Sequence, residues 1–83
     1  MSRAVPLVGL PSGAAGVVVG CGGGHGIVSR LAAMGFTPGS RVTVISNHNR
    51  GPILVMVHGS RIALGRGEAA KILVCPAGGS DDG

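Results

Sequence analysis

Glycine and proline divide this chain into short pieces, and that punctuation limits what it can fold into. Seventeen glycines and five prolines are spread over 83 residues, and the longest uninterrupted apolar run is Ile53–Val57. A membrane-spanning helix needs about 20 consecutive apolar residues, and glycine and proline both weaken helices. The sequence therefore predicts a soluble protein of many short elements joined by tight turns, with no segment inserted into a membrane.

The apolar residues of the chain favour strands. They make up 45% of the sequence, but Phe36 is the only aromatic residue, so aliphatic side chains must fill the core. β-branched residues pack well on a pleated sheet and lose side-chain freedom in a helix. A chain of this length forms one domain with one simple core. We predict a mainly β domain of five to six short strands.

Strand patterns and turn signals alternate along the chain. The predicted strands are residues 5–10, 14–19, 41–46, 53–58, 61–64 and 72–74. Gly59-Ser60 lies between two of these strands and predicts a tight hairpin, since glycine supplies the positive φ that such turns require. An open sheet would expose its edges, and a sheet this small hides them by curving into a barrel. We therefore predict a small SH3-like barrel.

One short helix interrupts the strands. Ile27, Leu31 and Met34 recur at helical spacing, and Gly35 stands where a left-handed residue would end the helix. A further helical turn is expected within residues 65–71, with Glu68 near its positive end. We assign residues 1–75 to the folded domain and residues 76–83 to a disordered tail.

The charges of the chain are unevenly distributed. All seven Lys and Arg residues lie at or before Lys71, whereas Asp81 and Asp82 lie in the tail and leave Glu68 as the only acid of the body. So basic a body favours an acidic partner, such as nucleic acid, an anionic membrane face or an acidic protein patch. The alternative is that the net charge serves only solubility.

Residues able to bind a metal are few. His48 and His58 flank a strand about 17 Å long and cannot share one ion through bonds of about 2.1 Å. Cys21 and His25, four positions apart around a glycine-rich loop, form the one pair that could converge locally on a divalent transition metal such as iron or zinc. A third ligand would have to come from elsewhere in the fold or from a second copy. The alternative is that the histidines are surface residues without a role.

The sequence lacks the motifs of an enzyme. A Ser-His-acid triad needs a buried carboxylate, and the body offers only Glu68. The glycine-rich segment 20–26 precedes the predicted helix as a phosphate-binding loop would. Ile27 and Val28 follow it, however, where such a loop needs Lys and then Ser or Thr. We predict a flexible connection there, with a weak anion site at the start of the helix as the alternative.

The strand at 53–58 is apolar on both faces. A small barrel has one interior, so one set of alternate residues must face outward, and Leu54 and Met56 are the candidates for a docking patch. The alternative is that the N-terminal segment or the helix covers them. Candidate partner-binding residues are therefore these two apolar residues together with basic side chains, namely Leu54, Met56, Arg30, Arg61 and Arg66.

Four motifs in a fixed order resemble those of the ferrous iron transport protein A (FeoA) family over about residues 5–74. They are L-P-S-G at 10–13, R-L-A-A-M-G-F-T-P-G at 30–39, G-P-I-L-V at 51–55 and G-S-R-I-A-L-G-R-G-E-A-A-K-I-L-V at 59–74. No single motif is specific, but their combination is. The glycine-rich segment 20–26 departs from the more polar, basic residues that the family has there.

The resemblance implies a fold and a role. It implies an SH3-like barrel, also found as the C-terminal domain of iron-dependent repressors, and a small cytoplasmic accessory protein of bacterial or archaeal ferrous iron uptake. The implied partner is FeoB, the membrane permease with a GTP-binding domain. The family is associated with transition metal ions, but no ligand set carries over onto this sequence.

Two other functions remain open. A nucleic-acid-binding barrel would suit the basic body, but the chain lacks the aromatic residues on which bases stack, so no nucleic acid is expected. A metal sensor or carrier would depend on Cys21 and His25. The sequence leaves the oligomeric state open, so a homo-oligomer is a further candidate.

Overall fold

Six strands pair into one antiparallel sheet in the computed structural model, which describes residues 3–77. The elements are β1 (Val5–Pro6), a 3-10 turn (Leu7–Gly9), β2 (Ala15–Cys21), α1 (His25–Ala33), β3 (Arg41–Ser46), β4 (Ile53–Val57), β5 (Ser60–Leu64), α2 (Arg66–Ala69) and β6 (Ile72–Pro76). The strand order is β1-β6-β2-β3-β4-β5. The mainly β prediction is confirmed, and the helical turn predicted within residues 65–71 is α2.

A single apolar core lies on the inner face of the sheet. Its members are mostly aliphatic residues that alternate along the strands, and Phe36 is the only aromatic among them. In β4 the pattern is regular, because Ile53, Val55 and Val57 are buried and the residues between them are only half-buried. Strand pairs therefore sort their side chains into an inner apolar set and an outer set.

Two register shifts interrupt the ladders. One lies between Val18 and Gly20 where β2 pairs with β6, and the other lies between Val44 and Ser46 where β3 pairs with β4. Such bulges bend a strand and increase its twist. They accompany the curvature that a sheet needs to wrap around one core.

The predicted end of β2 is corrected by the structure. We expected the strand to end at Val19, but it continues to Cys21, and Gly20 pairs with Leu73 of β6. Glycine lacks a side chain but keeps the backbone N–H and C=O groups that form a ladder. It can therefore continue a strand when the neighbouring strand forms hydrogen bonds with it.

The β4–β5 hairpin also differs from its prediction. We placed the turn at Gly59-Ser60, but the two loop residues are His58, with φ +52°, and Gly59, with φ +77°, while Ser60 pairs with Val57. Two consecutive positive φ values are the requirement of a type I′ turn. Histidine at such a position is uncommon, which is why the sequence alone pointed one residue further along.

Helix α1 ends at Ala33, and Gly35 is the left-handed residue that terminates it, as predicted. The amide of Gly35 donates to the carbonyl of Ala32, and the amide of Phe36 donates to the carbonyl of Leu31, both at 3.0 Å. Gly35 has φ +106°, and this pattern is a Schellman motif. The motif turns the chain back so that Phe36 enters the core.

The two ends of the chain are also refined. The N-terminal apolar segment predicted as one strand forms the short β1 and the 3-10 turn. Pro76, which we assigned to the tail, is the last residue of β6, while residues 78–83 of the predicted disordered tail lie outside the described residues. Neither helix within residues 3–77 has the length and apolar character needed to cross a bilayer.

Candidate partner-docking surface

The register of β4 and β5 brings three of the predicted docking residues together. Met56 pairs directly with Arg61, and Leu54 pairs with Ala63. Directly paired residues point to the same side of a sheet, and this side is opposite to the buried Val55. Leu54 and Met56 are half-buried, whereas Arg61 and Ala63 are exposed. We call these four residues the β4–β5 outer face.

Apolar surface continues from this face onto β3. Thr43 pairs with Met56, and Ile45, at the bulge, is 36% exposed. A second exposed apolar area lies on β2 and β6 and comprises Val17, Val19 and Leu73. Sequence reasoning missed both areas. Their alternation with buried residues was a usable signal, but it could not say which of two apolar sets faces outward.

The remaining candidates, Arg30 and Arg66, make contacts within the chain. Arg30 Nη2 forms an ion pair with Glu68 Oε2, which joins α1 to α2. Arg66 Nη1 donates a hydrogen bond to Asn47 Oδ1 at 3.0 Å. By contrast, Arg61 has no ion pair or side-chain hydrogen bond within residues 3–77. The predicted docking residues thus divide into one group on the β4–β5 outer face and two arginines on the helices.

The described part of the chain is strongly basic because it contains only one acidic residue. Residues 3–77 contain seven Lys and Arg residues and Glu68, which gives a net charge of seven minus one, or +6, with neutral histidines. Glu68 is already bound to Arg30 and also accepts a hydrogen bond from the Gly65 amide at 3.3 Å. Arg61 therefore presents its charge where no acid of residues 3–77 offsets it.

Asn47 positions the loop between β3 and β4. Its Nδ2 donates to the carbonyls of Val8 at 3.0 Å and Leu10 at 2.7 Å, while its Oδ1 accepts from Arg66. One amide thereby joins the N-terminal segment, the loop and α2. This residue was not singled out from the sequence, because no local pattern distinguishes it from its neighbours.

Cys21 and His25 do not form a self-contained metal site. The Cys21 thiol is half-buried at the end of β2, its Sγ lies 3.5 Å from the carbonyl oxygen of Phe36, and burial raises its pKa. The thiolate is the form that binds metals, so a raised pKa opposes binding. His25 is exposed at the start of α1. Residues 3–77 contain no group of three His, Cys, Asp or Glu side chains able to hold an ion.

Comparison with known proteins assigns a family to this fold. The FeoA domain family matches residues 5–76. A protein of Methanocaldococcus jannaschii named Fe(2+) transport protein A is 42% identical over 69 residues, which are 83% of this chain and 83% of the relative. Both matches cover most of the chain, and the family match spans every strand of the sheet.

Solved structures agree with that assignment. The crystal structure of an iron uptake regulatory protein (FeoA) is 39% identical and has a TM-score of 0.84, with 89% of this chain and 99% of that chain covered. FeoA of Stenotrophomonas maltophilia complexed with zinc, described as a procaryotic SH3 domain protein, is 29% identical and has a TM-score of 0.73, with 89% and 88% covered. The predicted SH3-like fold is confirmed, and this chain belongs to the FeoA domain family.

Proposed function

We propose that this chain is a docking module of ferrous iron uptake, a small cytoplasmic accessory protein that binds the cytoplasmic part of the ferrous iron permease FeoB and catalyses no reaction itself. Membership of the FeoA family, whose relatives are named for ferrous iron transport or iron uptake, supports the pathway. One observation carries the docking role. On the β4–β5 outer face, the half-buried Met56 pairs directly with Arg61, whose positive charge is not offset by any acid of residues 3–77.

This pairing has the composition of a recognition surface. The centres of interfaces are enriched in Met and Arg and depleted in acidic residues and Lys. Methionine adapts its shape to a partner because its side chain is unbranched and flexible. Arginine offers five N–H donors in a fixed fork that matches a carboxylate. Met56 and Arg61 together would bind an apolar side chain of the partner beside an acidic one.

The size of the chain is sufficient for such an interface. A standard interface buries about 800 Å² on each partner, and the accessible surface of this protein is 4663 Å². About one sixth of the surface would therefore be covered. The adjoining Ile45 supplies further apolar surface within that area.

Arg30 and Arg66 would contribute to docking only while keeping their contacts within the chain. The Arg30 side chain is 63% exposed, so part of its guanidinium remains accessible beside Glu68. Arg66 is less exposed and donates to Asn47. We therefore assign Arg61 the main electrostatic role and the two helix arginines supporting roles.

Calorimetric titration with the purified cytoplasmic part of the cognate permease, with and without nucleotide, tests the proposal. We expect saturable binding at micromolar concentration. Arg61→Glu and Met56→Asp should each weaken it about tenfold or more, because each places a carboxylate in the contact. Arg41→Glu is the matched control, since it makes the same charge change on another exposed strand residue, paired with Val17. Absence of binding, or equal loss in the control, would refute the proposed surface.

A further inference from the structure

The two edges of the sheet differ in their capacity to pair with another strand. Edge strand β1 has only two residues and ends at Pro6, which has no backbone N–H to donate. Edge strand β5 has five residues, contains no proline and pairs, within residues 3–77, only with β4. Natural proteins protect sheet edges by shortness and by proline. By both criteria, β1 is protected and β5 is open.

The hairpin geometry identifies the backbone groups that are free on β5. A two-residue turn makes its flanking pair, Val57 and Ser60, a hydrogen-bonded pair, and such pairs alternate along an antiparallel ladder. Ile62 is therefore bonded to Val55. Arg61 and Ala63 fall at the alternate positions, where N–H and C=O point away from β4. No turn or loop hydrogen bond within the described residues uses these groups.

We infer that the open edge of β5 binds an extended, acidic segment of the partner by strand addition. This inference rests on the proposed docking function and specifies its chemistry. The N–H and C=O groups of Arg61 and Ala63 would each bond the added strand, which is how exposed sheet edges bind peptides. The β4–β5 outer face then lies beside the outward side chains of that strand.

Charge complementarity decides the identity of the occupant. A second copy of this chain would bring a body with the same net charge of +6 (seven Lys and Arg minus Glu68) against this edge, and like charges oppose such pairing. An acidic segment gains instead, because its carboxylate would face Arg61 from the neighbouring strand position. The half-buried Ile62 faces the other side of the sheet, so the segment should place an apolar residue next to its acidic one.

Amide hydrogen exchange tests the inference on the full chain. In the free protein the amides of Arg61 and Ala63 should exchange fast, while that of Ile62, between them, should exchange slowly. The probe is a set of overlapping 15-residue peptides that tile the cytoplasmic part of the cognate permease. We expect at least one acidic peptide to slow exchange of both outer amides by about tenfold or more, without a comparable change at Ile62.

Two variants separate the backbone from the side chain. Ala63→Pro removes the outward N–H and leaves the β4 ladder intact, so it should fold and lose peptide protection at Arg61. Ala63→Ser keeps the N–H and should bind as the parent does. If the proline variant fails to fold, Arg61→Glu takes its place, and the exchange measured on the parent protein still decides the question.

The outcomes distinguish this inference from the docking function on which it rests. Binding of the folded permease part without protection at Arg61 and Ala63 would overturn strand addition and leave docking intact. Protection by a peptide without binding of the folded part would support strand addition and count against docking to that part. Protection that grows with protein concentration alone would assign the edge to a second copy, and no protection under any condition would overturn the inference.

Discussion

The imidazole of His58 packs against Gly35, on the side where a Cβ atom would stand. A Cβ at Gly35 would come within 2.8 Å of the ring atom Cδ2, a distance that real Cβ contacts do not reach. The ring is held there because its Nε2 is 3.1 Å from the hydroxyl of Ser40, which in turn is 2.8 Å from the hydroxyl of Thr37. The β4–β5 hairpin is thereby joined to the segment that follows α1.

Replacement of Gly35 by alanine should destabilise the fold for two reasons. The backbone there has φ +106°, and the new methyl group would also displace the His58 ring. We expect a loss of about 2–3 kcal/mol in the free energy of unfolding, measured by urea denaturation. Gly39→Ala is the control, because φ is +92° but no atom lies within 4 Å of its Cβ position. Equal losses in the two variants would mean that the ring contact contributes nothing.

Removal of the Asn47 side chain should separate the N-terminal segment from the loop. Asn47→Ala leaves the carbonyls of Val8 and Leu10 without their donor and Arg66 without its acceptor. The expected loss is about 2–3 kcal/mol, again by urea denaturation. His48→Ala, an exposed neighbour, should change stability by less than about 0.5 kcal/mol. A loss at Asn47 no larger than that at His48 would contradict the assigned role.

The ion pair of Arg30 with Glu68 should add little to stability. Its side chains are 63% and 29% exposed, and exposed pairs contribute about 0.2–1 kcal/mol. A double-mutant cycle with Arg30→Met and Glu68→Gln measures the coupling while keeping an acceptor for the Gly65 amide. The coupling should decrease as salt is added. A coupling above about 2 kcal/mol that is insensitive to salt would show that the pair is better shielded than its exposure indicates.

Cys21 and His25 should contribute nothing measurable to any binding of zinc by this chain. Burial raises the pKa of the Cys21 thiol and so disfavours the thiolate that a metal needs, and residues 3–77 supply no third ligand. Titration calorimetry with zinc, and with ferrous iron under anaerobic conditions, should therefore give the same heats for the parent chain and for the Cys21→Ser, His25→Ala double variant. A saturating heat that is lost in the double variant would establish the pair as a metal site.

The thiol of Cys21 should also impose a pH dependence on stability. Its pKa is raised in the folded state by burial, so the unfolded chain loses this proton first as the pH rises. The contribution to stability is complete below the ordinary thiol pKa of about 8.5 and is lost between that pH and the higher folded pKa. Unfolding of a Cys75→Ser variant measured from pH 7 to 10 should show this decline. The Cys21→Ser, Cys75→Ser variant should show a smaller decline in stability over the same pH range. An equal decline in both variants would contradict the role assigned to Cys21.

The sequence was most informative where local chemistry decides the structure. The bounds of β3, the end of α1 at Gly35 and the two-faced pattern of β4 all follow from side-chain periodicity and from the backbone freedom of glycine. These features need no knowledge of distant residues, and each was predicted correctly from the chain alone.

Other features depend on residues far apart in the chain. The turn at His58 is held by Ser40, and the last residues of β2 are strand only because β6 pairs with them. Pairing of Met56 with Arg61 required the correct turn, which the sequence displaced by one residue. The role of Asn47 depends on carbonyls more than 35 positions away. None of these relationships can be recognised from the pattern of residues that are adjacent in the sequence.

The commitment of Glu68 to Arg30 has a consequence for selectivity. With that acid neutralised, the field around residues 3–77 has one sign, and it attracts polyanions in general, RNA among them. Long-range attraction by net charge accelerates encounters but does not discriminate among polyanions. If the proposed docking is correct, discrimination comes from what a nucleic acid backbone lacks: a strand that can complete a ladder and an apolar side chain that fits beside Met56.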